Sequence, residues 1–195
     1  MDPIRVIGIA GSLRQGSYNR ALLRAAAELA PSNGIELIEH DPSPLPFYDA
    51  DLEAAGDPEP VAKLRSAVRE ADGLLLATPE YNRGTSAVLK NALDWLSRPA
   101  LASVLRWKPV AIMGASSGRG GTRRAQQQLR EALLFPGAHV PDEPEVAVPL
   151  AWEHFDADLE LTNEQTRAAL DSLLGSLADL AGAGEPAELT LAAAR

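Results

Sequence analysis

Residues 4–19 read Ile4-Arg5-Val6-Ile7-Gly8-Ile9-Ala10-Gly11-Ser12-Leu13-Arg14-Gln15-Gly16-Ser17-Tyr18-Asn19. The first seven form a mainly apolar, β-branched run that stops at Gly11-Ser12, a pattern that predicts a buried strand followed by a turn. Ser17 is then placed to cap a helix to about residue 30, in which Ala21, Leu22, Ala25, Ala26 and Leu29 share one face. Further on, residues 35–39 alternate apolar and polar, as a strand near a sheet edge does. Residues 41–60 are rich in Pro and Asp and predict a long surface loop, and residues 61–70 predict a helix. Gly73-Leu74-Leu75-Leu76-Ala77 is the third and most central strand, followed by a helix from about Ser86 to Leu96. A fourth strand at residues 109–113 runs into the glycine-rich stretch 114–121 and a Gln/Arg-rich helix to about Leu134. A fifth is expected at residues 146–148, and Thr162-Asn163-Glu164-Gln165 has the spacing of a capping box before a last helix to about Leu180.

Strands that alternate with helices at this spacing predict an α/β fold: a doubly wound, five-stranded parallel sheet with helices on both faces. Residues 1–182 are expected to form one domain and residues 183–195 a loose tail. In such sheets ligands bind beyond the carboxyl ends of the strands, so the loops after the first, third and fourth strands are where function is to be sought.

The composition narrows the classes. With 195 residues and 46% hydrophobic content the chain has the size of one globular domain. Folding at this length buries roughly 70% of the surface the unfolded chain exposes, so no disulfide or metal is needed to hold the core. There is no cysteine. That excludes a disulfide framework, a thiolate nucleophile, a Cys-ligated metal and a thiol relay, so any electrons must be carried by something bound. The three histidines, His40, His139 and His154, show no metal-ligand spacing, and no metal is expected. No run approaches the ~20 apolar residues of a membrane span, and Met1-Asp2-Pro3 opens no secretory signal; the expectation is a soluble cytoplasmic protein. The net charge of −9 is unevenly spread: residues 1–130 hold 16 basic against 14 acidic residues, and residues 131–195 hold 2 against 13. That balance argues against nucleic acid as a partner and leaves room for a local anion site in the first two thirds.

The loop Gly11–Asn19 joins a strand to a helix start, where unpaired amides and the helix dipole favour a phosphate. Ser12, Ser17 and Asn19 offer side-chain donors, Arg14 offers a charged fork, and Leu13 and Tyr18 flank them. The bland alternative is that Ser17 only caps the helix and Arg14 is solvated. The loop is neither a P-loop nor a dinucleotide fingerprint. The second loop, Pro79-Glu80-Tyr81-Asn82, sets polar groups beside one aromatic and suits the edge of a flat heterocycle; the alternative is an ordinary βα turn. The third, with Ser116, Ser117 and Gly118, is followed by Arg119, Arg123, Arg124 and Arg130 with no acid among them. Such cationic density attracts an anionic substrate, and Arg119 and Arg123 are candidates for the phosphates of a nicotinamide nucleotide; the alternative is a solvated helix face. Gly114-Ala115-Ser116-Ser117-Gly118 also matches the nucleophile elbow of serine hydrolases, with Asp142 and His154 in the required order. The chain is short for that fold, and no oxyanion segment accompanies the match.

Taken together, Gly11-Ser12-Leu13-Arg14-x-x-Ser17-x-Asn19 and Pro79-Glu80-Tyr81-Asn82, continuing into Leu89-Lys90-Asn91-Ala92-Leu93-Asp94-Trp95, resemble the NADPH-dependent FMN reductase family. The resemblance covers residues 4–150 and implies a flavodoxin-like fold with strand order 2-1-3-4-5, and an activity like that of its quinone-, chromate- and azo-dye-reducing members. It implies that Ser12, Arg14, Ser17 and Asn19 hold the FMN phosphate, that Pro79, Glu80, Tyr81 and Asn82 lie along the flavin ring, and that Ser116, Ser117 and Gly118 flank its other side. Thr122 stands where the family pattern has its second glycine. The implied reaction takes hydride from NADPH or NADH to FMN and passes electrons to a small acceptor; it requires no side-chain acid or base, so no catalytic residue is named. A homodimer or homotetramer is implied as well. The alternatives are a flavodoxin-like electron carrier without NAD(P)H turnover, and a hydrolase using Ser116.

Overall fold

A computed structural model describes residues 2–183. Five parallel strands, β1 (Ile4–Ala10), β2 (Ile35–Glu39), β3 (Gly73–Ala77), β4 (Val110–Ala115) and β5 (Val146–Val148), make one sheet in the order β2-β1-β3-β4-β5. This is the expected flavodoxin-like order, in which the direction of winding reverses between β1 and β3. Side chains alternate across the sheet and separate two cores. Val6, Leu75 and Met113 pack with Leu22 and Ala26 of α1 (Tyr18–Leu29) and Leu170, Leu174 and Leu177 of α6 (Glu164–Gly182). Ile7, Ile9, Leu74, Leu76 and Ile112 pack on the opposite face. There they meet α3 (Glu59–Glu70), α4 (Ala87–Leu96) and α5 (Arg123–Leu134) through Leu64, Leu89, Leu93, Leu129 and Leu133. Burial on both faces is why β1 and β3 carry nearly unbroken apolar runs.

Four expectations need correction. The stretch 41–60 is not all loop: α2 (Ala50–Ala55) forms within it, capped by Asp49, whose carboxylate accepts from the Asp51 amide at 2.8 Å. It buries no residue, so no apolar period announced it. Helix α3 starts two residues before Val61, because a proline is tolerated in a first helical turn, where its missing N–H has no partner to lose. Strand β4 runs on through Gly114 to Ala115. A Cβ on Gly114 would lie 2.2 Å from the Thr78 carbonyl oxygen and 2.3 Å from Thr122 Oγ1, so only glycine lets the chain pass here. Finally, α6 is capped by Asn163, which accepts from the Thr166 amide at 2.9 Å, and not by Thr162, whose hydroxyl donates to the His154 carbonyl. The expected tail lies, apart from Ala183, outside the described residues.

Candidate functional site

The loops after β1, β3 and β4 meet at the carboxyl edge of the sheet. They enclose a cleft of about 370 Å³ lined by Ser12, Arg14, Ser17, Tyr18, Asn19, Pro79, Glu80, Tyr81, Ala115, Ser116 and Ser117. That volume lies within the range of small-ligand sites. Of the residues singled out in the sequence, these loops bring ten to the cleft. Leu13 instead lines a neighbouring cleft with Arg20, Glu39 and Asp41, while Asn82 and Gly118 stand outside the lining. Beside that neighbouring cleft burial lowers the pKa of His40, against the raising effect of Asp41.

The first loop presents donors that the chain itself leaves unused. Ser17 caps α1, its Oγ accepting from the amides of Asn19 (3.2 Å) and Arg20 (3.4 Å). Among the described residues, the amides of Ser12 to Gly16 donate to no group of the chain, and Arg14 has no ion-pair partner. An array of amides at a helix start with an uncommitted guanidinium beside it is the donor set a phosphate monoester takes. Asn19 departs from its expected role. Its side chain is buried, Nδ2 donates to the Ala115 carbonyl at 2.9 Å and Oδ1 accepts from the Ala115 amide at 2.9 Å. The carboxamide therefore ties the first loop to the end of β4.

The second loop is folded before any ligand arrives. The amides and carbonyls of Tyr81 and Gly84 exchange bonds of 2.9 and 3.0 Å around Asn82 and Arg83, both with positive φ (52° and 68°). Such a turn suits asparagine and costs an arginine on the order of 1 kcal/mol. Pro79 is buried at the entry, and the Tyr81 side chain is 55% exposed. Glu80 lines the cleft, and its carboxylate reaches α5, where it accepts from the amides of Arg124 (3.1 Å) and Ala125 (3.3 Å).

In the third loop, Ser116 Oγ accepts from the Gly118 amide at 3.0 Å. A segment with no motif braces this loop: the Ser116 amide donates to the Val148 carbonyl, and the Leu150 and Ala151 amides donate to the Gly118 and Ser116 carbonyls. Phe155 from the same segment packs on Tyr18 with ring centroids 5.4 Å apart. No sequence signal marks these braces, because they are backbone pairings across the sheet edge.

The arginines after this loop are not the bare cationic patch their spacing suggests. Arg123 Nε meets Glu145 at 2.8 Å, Arg124 meets Glu80 at 3.8 Å and Arg130 meets Asp142 at 3.3 Å. The Glu145 hydrogen bond, then its charge, raises the Arg123 pKa. Arg123 lines a separate groove with Gln126, Arg130 and Glu145, whereas Arg119 stays exposed on the loop. The hydrolase arrangement is not assembled, since Asp142 is engaged by Arg130 and His154 Nδ1 is engaged by Thr166 Oγ1 at 2.7 Å. Among the described residues no cluster of metal-ligating side chains occurs, and no helix is long and apolar enough to cross a membrane.

The family model described as NADPH-dependent FMN reductase matches residues 4–153. An NAD(P)H-dependent FMN reductase of Pseudomonas aeruginosa is 46% identical over 176 residues, which cover 90% of this chain and 94% of that protein. An NAD(P)H:quinone oxidoreductase of Solanum tuberosum is 42% identical over 183 residues, covering 91% and 93%. Among solved structures, the flavoenzyme NAD(P)H:(acceptor) oxidoreductase FerB of Paracoccus denitrificans superposes with a TM-score of 0.81 at 33% identity, covering 92% of this chain and 98% of that one.

Proposed function

The chain belongs to the NADPH-dependent FMN reductase family, and from that premise we propose that it oxidises NAD(P)H with FMN seated in the three-loop cleft and reduces a small acceptor of the quinone class. The observation that carries this reading is the uncommitted donor set of the first loop, amides 12–16 with Arg14, opening into a cleft bordered by a prefolded polar turn. Those residues fit a mononucleotide. Ser12, Ser17 and Arg14 would hold its phosphate, Pro79 to Asn82 would border its ring, and Ser116 to Gly118 would flank the other side. Bound FMN supplies the two-electron chemistry; what the chain contributes is position and electrostatics. Asn19 serves by fixing the first loop against β4, and no side chain of the cleft needs to move a proton.

A homodimer or homotetramer and a cytoplasmic setting are part of the same proposal. The test is direct. Purified protein should absorb between about 350 and 500 nm, bleach on anaerobic addition of NADPH and regain its colour with a quinone. Protein that stays colourless and takes up no FMN supplied in excess overturns the reading; protein that binds FMN but sustains no NAD(P)H turnover is an electron carrier.

A further inference from the structure

Helix α5 begins at the edge of the cleft without a cap of its own: the Thr122 hydroxyl at its N-cap position accepts from Gln126 Nε2 at 3.0 Å and from no backbone amide of the first turn. The missing cap comes from 44 residues earlier. Glu80 Oε2 accepts from the Arg124 and Ala125 amides, and Oε1 lies 3.8 Å from Arg124 Nη1. The Glu80 side chain is only 15% exposed, so this carboxylate is committed to the helix and is not a solvated surface acid. A second tie sits on the far side of the same turn, where Gln128 Oε1 accepts from the Thr85 amide at 2.8 Å. The turn that borders the cleft is therefore clipped to α5 at both of its ends.

The clip is also electrostatic. A helix start carries about half a positive charge, and an acid placed there neutralises it. Left bare, the start of α5 together with Arg124 would favour the extra negative charge of a reduced flavin at the neighbouring loop. We propose that Glu80 is a positioning residue with two separable effects on the cofactor: its oxygens hold the loop at residues 79–84 in its flavin-bordering shape, and its charge cancels the positive start of α5 and so keeps the bound flavin strongly reducing.

This inference rests on the placement of FMN in the cleft, and a pair of variants tests it. Glu80→Gln keeps an oxygen for the two amides and loses the charge; Glu80→Ala loses both. FMN affinity is read from quenching of flavin fluorescence, the midpoint potential from equilibration with a redox dye, and folding from circular dichroism and melting. Glu80→Ala should bind oxidised FMN about tenfold more weakly than the wild type, as expected for the loss of a charge-assisted hydrogen-bonded clip. Glu80→Gln should bind oxidised FMN within about twofold of the wild type. Its preference for reduced over oxidised flavin should rise about tenfold, a midpoint about 30 mV higher for a two-electron couple. A wild-type affinity in Glu80→Ala, or an unmoved midpoint in Glu80→Gln, overturns the role of Glu80 while FMN binding by the wild type stands. Absence of FMN binding by the wild type overturns both. Should Glu80→Ala fail to fold, the midpoint of Glu80→Gln decides alone.

Discussion

Helices α1 and α5 both begin beside the cleft, and their charged groups are disposed of differently. At the start of α1, Arg14 and the amides of residues 12–16 have no partner among the described residues. In α5, Arg123, Arg124 and Arg130 are each matched to a carboxylate, from Glu145, Glu80 and Asp142. An anion arriving at α1 meets donors ready for it, while one arriving at α5 must first displace an acid. Local cation density in the sequence does not by itself say which guanidinium is left without an acid. What decides is whether folding brings an acid alongside, and for α5 it does so from segments both before and after the helix. Each of these pairs has one partner that is at least 60% exposed, and such pairs add only ~0–1 kcal/mol to stability, so their main effect is to cancel the field.

The contrast can be broken in three places. The largest effect belongs to the tie between the two sides. Asn19→Ala removes both bonds to Ala115 and strands a buried amide and carbonyl, at a cost of about 3 kcal/mol, since each unsatisfied group costs ~1–3 kcal/mol. Denaturant titration reads this loss; a variant within about 1 kcal/mol of the wild type would show that water replaces the carboxamide and that the sides are not coupled. Next comes Arg14→Ala, which removes a charge-assisted contact worth ~2 kcal/mol and should weaken FMN binding about thirtyfold without changing the melting temperature. Unchanged FMN affinity would mean that the start of α1 is no more an anion site than α5. The smallest effect is expected of Arg123→Ala, whose Michaelis constant for NADPH should stay within about twofold of the wild type because Glu145 already occupies the guanidinium. A tenfold rise would show that the pair opens for substrate and that the contrast between the helices is only apparent.

The sheet was legible in the sequence because both of its faces are buried: the runs at residues 4–10 and 73–77 have few polar interruptions, and the helices between them keep a regular apolar face. What was not legible depends on particular neighbours. Helix α2 has only its Asp49 cap to announce it, and β4 passes Gly114 because of how close Thr78 and Thr122 come in the folded chain. The site divides in the same way. The residue types at positions 12–19, 79–82 and 116–118 give the grounds for proposing a phosphate and a flat ring at these loops. They do not show that Asn19 and Glu80 direct their polar atoms to backbone 96 and 44 residues away. Both side chains suit a ligand as well as an amide, and only the folded geometry chooses between the two.

Those separations also set an order of assembly. A chain emerging from the ribosome exposes the loop at residues 11–19 early, yet the partner of Asn19 follows 96 residues later and the amides that Glu80 clasps come after that. Until about residue 125 is available, nothing fixes the cleft's opposite walls at their final distance. The cleft is thus finished near the end of translation of the sheet, and a nascent fragment carrying the first loop alone has only one of its three walls.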